Sequence, residues 1–422
     1  MKTLVFLCFS TILFLFAGSN LFAESSIDGE IRTKFELRDG YKTLVYDSLV
    51  PAFVISQRSR LNLSFKNDVF SSGFSLQDVR SWGETPFKTD MPNFNIHEAW
   101  GGVKLHENVE LKIGRQVLNY DKKRLLGTKN WNDVGASHDV ALLKIANKIS
   151  HAHIGLAYNN DDIKSTTMEY YTQNYYRYLG FIHGMYDLGN GMNVTALGMM
   201  EGRQNPVAPE SLYNRLTFGA NFEMANDSLP YGFYGSFYYQ GGQDVSGMSV
   251  AAIMFSLNVM YDVTSEFFSQ LSVDYFSGND YSETVDKNKA FDNTYGNGHL
   301  YYGYMDYFTS VANNTGGAGL MDVYYRANYN VAKKVNTEFT YHYFATTGQL
   351  LDMNGDNADK YLGSEVDIVA LLKPVKGFSA KIGYSFMLAS DTMELLKSGD
   401  SGHFNQWFWI MTTFKPNFFK SE

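Results

Sequence analysis

Residues 27 to 38, "IDGEIRTKFELR", alternate without a slip. Ile27, Gly29, Ile31, Thr33, Phe35 and Leu37 form one set, and Asp28, Glu30, Arg32, Lys34, Glu36 and Arg38 form the other. Every member of the second set is charged. Successive side chains of a strand point to opposite faces, so this is a strand with one uncharged face and one fully ionised face. The same period recurs in "QRSRLNLSFK" (57–66), "VELKIG" (109–114), "NRLTFGANFEM" (214–224), "MDVYYRANY" (321–329) and "VNTEFTYHY" (335–343). Such runs number roughly 18, within about two, because each segment's signal is weak. In "GFSLQDVRSWG" (73–83) the alternation slips near Gln77 and Asp78, where a bulge is expected.

The links between runs alternate short and long. "LHEN", "ANKIS", "NDSLP", "YDVTSE", "VAKK" and "KPVKG" are brief, whereas 115–137, 159–175, 277–319, 348–360 and 389–403 are long. Tight turns at one end and long loops at the other are the rhythm of an outer-membrane barrel, with periplasmic turns and extracellular loops. The first residues read as an export signal. Lys2 is followed by an apolar core, Leu4 to Phe16, and "LFA" ends at Ala23. We therefore expect a leader over 1–23 and a single barrel over 24–422. The only cysteine, Cys8, lies in that leader, so the mature chain carries no disulfide.

An ionised face could look onto bulk water in a soluble sandwich, or onto a water-filled lumen in a membrane barrel. Export, the loop rhythm and the aromatics favour the barrel. The chain has 30 Tyr and 32 Phe, and Tyr41, Tyr46, Tyr158, Tyr186, Tyr231, Tyr261, Tyr301, Tyr329 and Trp407 fall near strand ends, where they suit interfacial girdles. An open sheet cannot sit in lipid, because its edges leave backbone groups unpaired. A basic side chain facing midplane lipid costs about 2–4 kcal/mol, so the charged face must point inward. About 18 strands enclose a bore wider than side chains fill. The expected fold is thus an all-β, transmembrane antiparallel barrel in the outer membrane of a Gram-negative bacterium. A net charge of −9 gives no basic patch for nucleic acid.

The stretch 111–145 carries the most distinctive series, Gly114-Arg115-Gln116, then Arg124-Leu125-Leu126-Gly127, then His138-Asp139. With "DVRSWG" (78–83), "HEAW" (97–100), "YLGSEVDIVALLKP" (361–374) and the closing "WFWIMTTFKPNFF", it resembles the bacterial alginate export family of outer-membrane barrels. The resemblance implies a monomeric channel, placed in lipid by the barrel assembly machinery, that conducts an anionic polysaccharide or other hydrophilic solutes through a basic lumen. The matching positions are Arg115 and Arg124, with Arg32, Arg58, Arg60, Arg80, Lys112 and Arg215 as lumen neighbours. Lys34, Glu98, Asp139 and Arg326 complete the expected solute path. An arginine in a loop can equally pin that loop to wall carboxylates. Many acids fall on the same inferred face, among them Asp28, Glu30, Glu36, Asp78, Glu110, Glu338, Glu365 and Asp367. A mixed-sign wall suits a general or sugar-selective porin as well as a polymer exporter. The terminal "FFKSE" lacks the closing aromatic of many barrels, and Phe419 is the candidate substitute.

Other constellations read as bland. "DMNGDNADK" (352–360) resembles a calcium loop but has Asn357 and Gly363 where Gly and Glu belong. His151 and His153 share a strand face and read as lumen lining, with no third metal ligand in view. His138-Asp139 lacks a nucleophile, and "NNTGGAGL" (313–320) lacks the lysine of a phosphate loop. No cofactor and no catalytic residue is expected.

Overall fold

The computed structural model describes residues 23–46, 48–84, 94–166, 171–172, 175–226 and 228–421. The expected leader, save Ala23, lies outside the described residues. The strands are β1 (Glu24–Asp39), β2 (Ala52–Lys66), β3 (Phe70–Ser81), β4 (Phe94–His106), β5 (Val109–Gln116), β6 (His138–Ala146), β7 (Ser150–Tyr158), β8 (Tyr178–Gly189) and β9 (Met192–Gln204). They continue as β10 (Leu212–Met224), β11 (Tyr231–Gln243), β12 (Ser249–Asp262), β13 (Phe267–Phe276), β14 (Leu320–Ala332), β15 (Val335–Ala345), β16 (Tyr361–Val375), β17 (Phe378–Ala389) and β18 (Asn405–Phe414). After a break at Lys415-Pro416, β18 resumes over Asn417–Lys420 and goes on pairing with β1. Proline has no N–H for the ladder, which accounts for the break.

Each strand pairs antiparallel with its sequence neighbours, and β1 pairs with both β2 and β18. The described residues thus form one closed barrel of 18 strands. Closure leaves no edge, the condition for β structure in lipid. Connections after even strands are short, and those after odd strands are longer, except that β9–β10 (205–211) and β11–β12 (244–248) are about as brief as the turns. The β8–β9 turn shows the local chemistry. Asn190 and Gly191 both take positive φ, 55° and 76°, as a tight primed hairpin turn demands.

The barrel is inverted relative to a soluble protein. Ile31 is 45% exposed and Leu61 39%, whereas Arg32 and Lys34 between them on the inner face are 5% and 4% exposed. Arg58, Asp274, Asp322, Glu365 and Asp367 are also buried inside. Tyr46, Tyr158, Tyr186, Tyr231, Tyr261 and Tyr329 are exposed, as a girdle needs. Tyr41, Tyr301 and Trp407 are not girdle residues. Trp407 is fully buried and stacks on Tyr41 at 4.5 Å, and Tyr301 lies against Arg124 in the lumen. All three sit at the long-loop end, where the loops fold inward and take their aromatics with them. The bulge is also displaced from its expected place. β2 and β3 stay in register through Gln77 and Asp78, and the extra residue is His97 on β4, between Ile96 opposite Leu76 and Glu98 opposite Ser75.

Replacing the outward-facing Leu61 with arginine should destabilise the barrel in phospholipid vesicles by about 2–4 kcal/mol, read from urea unfolding. An unchanged midpoint would mean that Leu61 does not face hydrocarbon.

Candidate functional site

Loop 3, residues 117–137, leaves β5 and crosses the lumen. Its far end lies against β1 to β3. Arg32 donates to the carbonyls of Asn130, Trp131 and Asn132 at 2.6, 3.1 and 3.0 Å, and to the Asp133 carboxylate at 3.0 Å. Arg58 binds Glu30 through Nε at 2.9 Å and reaches the Asn130, Asn132 and Asp133 carbonyls at 3.3–3.4 Å. Arg60 donates to Gln77 at 2.7 Å and to the Val134 carbonyl at 3.2 Å. A loop without a ladder leaves its carbonyls without partners, and the five N–H donors of a guanidinium satisfy several at once. Lys34 completes the clamp, 3.6 Å from Asp133 and 4.7 Å over the Trp131 ring. Burial works against the Asp133 charge, but Lys34 and Arg32 hold its carboxyl below the ordinary value.

The near end of loop 3 is strained. Asp121, Lys122 and Lys123 all take left-handed φ, 49°, 55° and 69°. Non-glycine residues there cost about 1–2 kcal/mol each, so the surroundings must hold them. The Asp121 carboxylate accepts from His183 on β8 at 2.9 Å, Thr195 on β9 at 2.7 Å and Tyr238 on β11 at 3.2 Å. Lys122 pairs with Glu223 on β10. Arg124 donates to Asp274 on β13 at 2.7 Å and to Ser256 on β12 at 2.8 Å, with its guanidinium 3.6 Å from the Tyr301 ring. The Arg124–Asp274 pair is fully buried. Loop 3 is therefore tied to both sides of the barrel.

Loop 7, residues 277–319, fills much of the bore beside β12 to β18. Its Tyr302, Met305, Tyr307, Phe308 and Val311 pack with Phe276, Phe344, Met387 and Trp407 in an apolar core. Polar contacts anchor its margins. Asp292 accepts from Arg215 at 2.7 Å, Tyr304 donates to Glu338 at 2.7 Å, and the Met305 N–H donates to Glu365 at 2.7 Å. Burial alone would raise the Asp292 carboxyl, but Arg215 brings it down to about 2, so this anchor stays ionised in mild acid. The Trp131 ring of loop 3 stacks on His299 of loop 7 at 4.1 Å. A short helix, α1 (Val311–Asn314), lies in loop 7, and a second, α2 (Asp391–Lys397), lies in the link after β17. Lys397 of α2 donates to the Tyr307 carbonyl, and burial lowers its ammonium to about 8.

Among the described residues, two cavities lie beside loop 3. One, of about 470 Å³, is lined by Arg32, Arg58, Lys334, Lys373, Lys376, Lys381 and Lys415, and its only carboxylate is Glu30. The other, of about 330 Å³, is lined by Asp121, Lys122, His151, His153, His183 and Glu223 with Tyr120 and Tyr234. Both reach toward the short-turn end, where Lys334, Lys376 and Asn193 lie.

The expected path residues divide. Arg32, Lys34, Arg58, Arg60, Arg124, Arg215 and Arg326 face the lumen and are engaged with loops 3 and 7; Arg326 donates to the Leu300 carbonyl at 3.4 Å. Glu98 accepts from the Trp100 indole at 3.2 Å, and Lys112 lies 3.6 Å over the same ring, also inside. Arg80, Arg115 and Asp139 lie on the other side of the wall. Inward Arg58 pairs with Val79, so Arg80, opposite Gln57, faces outward and binds Asp78 at 2.8 Å. Arg115 pairs with Asp139 at 3.1 Å, both well exposed beside outward Ile113. Both pairs occupy the long-loop ends of their strands, and in each an outward charge is met by one of opposite sign. The lysines of "LKPVKGFSAK" (372–381) were visible as a basic run in the sequence. Asp121 carried no such signal, because a loop has no alternation. Asp352 accepts from the Asn354 and Asp356 N–H groups in an Asx-type turn, and His138 bonds Tyr176 at 2.8 Å.

Arg124→Ala should cost about 3–5 kcal/mol and raise open-channel current noise, because Asp274 is left buried without its cation. Replacing both residues with Met and Leu should recover most of that stability. If the single variant matches the parent in both readouts, Arg124 does not anchor loop 3.

No family model matches this chain, and no curated protein matches it. The alginate-export resemblance of the motifs therefore has no family match behind it. Solved structures do match. Acinetobacter baumannii OccAB4 is 12% identical, with a TM-score of 0.63 over 94% of this chain and 99% of that one. Acinetobacter baumannii OccAB1 is 13% identical, with a TM-score of 0.63 over 94% and 97%. The outer membrane protein OprD from Pseudomonas aeruginosa is 12% identical, with a TM-score of 0.61 over 95% and 96%. At such identity the likeness is one of fold: the chain carries, over nearly its whole length, the closed barrel of these outer-membrane proteins.

Proposed function

We propose that this chain is an outer-membrane porin through which small hydrophilic solutes diffuse, with anions favoured. The observation that carries the reading is the 470 Å³ cavity, where seven basic side chains face one carboxylate inside a loop-narrowed barrel. Charge of one sign in a low-dielectric cleft concentrates counter-ions and sets selectivity. The cavities beside loop 3 match small molecules in volume. An extended polysaccharide needs a continuous bore, and loop 3 is clamped across it at both ends, so alginate export fits this arrangement less well. The channel is passive, works as a monomer in outer-membrane lipid and is inserted by the barrel assembly machinery, with Phe419 near its closing strand end. It carries out no catalysis.

Reconstituted in planar bilayers under a KCl gradient, the mature protein should conduct and prefer chloride. Lys373→Glu with Lys381→Glu should lower the chloride-to-potassium permeability ratio at least about twofold. In liposome uptake, a single uronate should enter far faster than long alginate chains. Cation preference in the parent would contradict the selectivity, and equal uptake rates would restore the polymer reading.

A further inference from the structure

The second cavity gathers three imidazoles that passive conduction does not need. His151 and His153 project from β7 and His183 from the adjacent β8. Ring centroids are 4.5 Å apart for His151–His153, 5.3 Å for His151–His183 and 6.5 Å for His153–His183. Among the described residues, no group of three or more His, Cys, Asp or Glu is set to hold a metal ion. The rings are committed to hydrogen bonds instead. His183 Nε2 gives its proton to Asp121, its Nδ1 lies 3.2 Å from His151 Nε2, and His153 Nδ1 lies 3.0 Å from the Tyr120 hydroxyl.

The protonation logic follows from those atoms. A neutral His183 that donates through Nε2 carries a lone pair on Nδ1, so His151 Nε2–H donates to it. The neutral cluster is a directed chain, His151 to His183 to Asp121. When both rings are protonated, two N–H groups meet at 3.2 Å and the link is lost. His183 keeps Asp121, now as a charge-assisted bond, so the strained turn of loop 3 stays clamped. His151 is displaced into the cavity, carrying a positive charge.

The neighbouring charges decide what this does. Loop 3 presents Asp121, Lys122 and Tyr120, β10 presents Glu223, and β11 presents Tyr234 and Tyr238. The Lys144–Glu110 pair, 3.3 Å apart, lies on β6 and β5 and is internally neutral. With the imidazoles neutral, two carboxylates face one ammonium and the cavity is net negative. Three added protons make it net positive.

We infer that this histidine cluster tunes the ion preference of the channel, from weakly anionic in alkali to strongly anionic in acid. The inference rests on the porin reading. The basic cavity favours anions throughout, while the histidine cavity offers cations a path only when its rings are neutral. The change is broad, because neighbouring rings titrate as a unit.

The test is the reversal potential under a KCl gradient at pH 8 and pH 5. In the parent, the chloride-to-potassium permeability ratio should rise about threefold between the two. In His151→Gln/His153→Gln, which leaves His183 on Asp121, the rise should fall to less than about half of that. Asp121 and Glu223 are common to both proteins, so the difference belongs to the rings. A flat ratio in the parent, or an equal rise in the variant, overturns the switch and leaves the porin standing. Absence of channels at either pH, in protein that still shows heat-modifiable migration, overturns both.

Discussion

An arginine in a membrane wall must turn away from lipid, and in this barrel it turns onto a loop that lacks partners of its own. Arg32, Arg58 and Arg60 are kept inward by the cost of placing them in hydrocarbon. Loop 3 arrives with carbonyls that no ladder satisfies, and the three guanidiniums take them up. One constraint thus answers two needs: it orients the wall and it hangs the constriction. Charge pairs between wall and loop recur across the bore: Arg215 of β10 meets Asp292 of loop 7 and, in the reverse sense, Arg124 of loop 3 meets Asp274 of β13.

The lumen that results is asymmetric. Loop 7 seals the β12 to β18 side with aromatic rings, so the lumen keeps an apolar core of its own beneath the ionised wall. Among the described residues, two cavities of different charge lie beside loop 3. One is basic at every physiological pH. The other holds two carboxylates, one ammonium and three imidazoles, and in the proposed switch it is the one whose sign changes. On the proposed porin reading, selectivity depends on the small set of wall residues that the loops leave uncovered, rather than on the net charge of the chain.

Strand number, closure and the side that faces lipid were legible in the sequence, because a period of two survives in most strands and lipid punishes its violation. The long-and-short rhythm of the links likewise told one end of the barrel from the other. Position within the membrane was not legible. Arg80, Arg115 and Asp139 have the charge of lumen residues but lie on the outward parity, each paired with an opposite charge. The bulge on β4 was hidden, because "NIHEAW" carries polar residues on both faces around His97. Loop 7 was the largest gap. Its tyrosines look like rim aromatics in sequence, and only the fold shows that they pack inward. Asp121 was likewise silent, since its role depends on β8, β9 and β11 meeting at one carboxylate.

The central claim is that the charged face lines the lumen and the apolar face meets lipid. Cys8 is the only cysteine and falls in the expected leader, so the mature chain accepts single-cysteine labels cleanly. Ile31→Cys and Lys34→Cys, each carrying a fluorophore, can be reconstituted in vesicles of brominated lipid. Bromine should quench the label at position 31 strongly and spare the one at position 34. The reverse pattern, or equal quenching at both, would contradict the account.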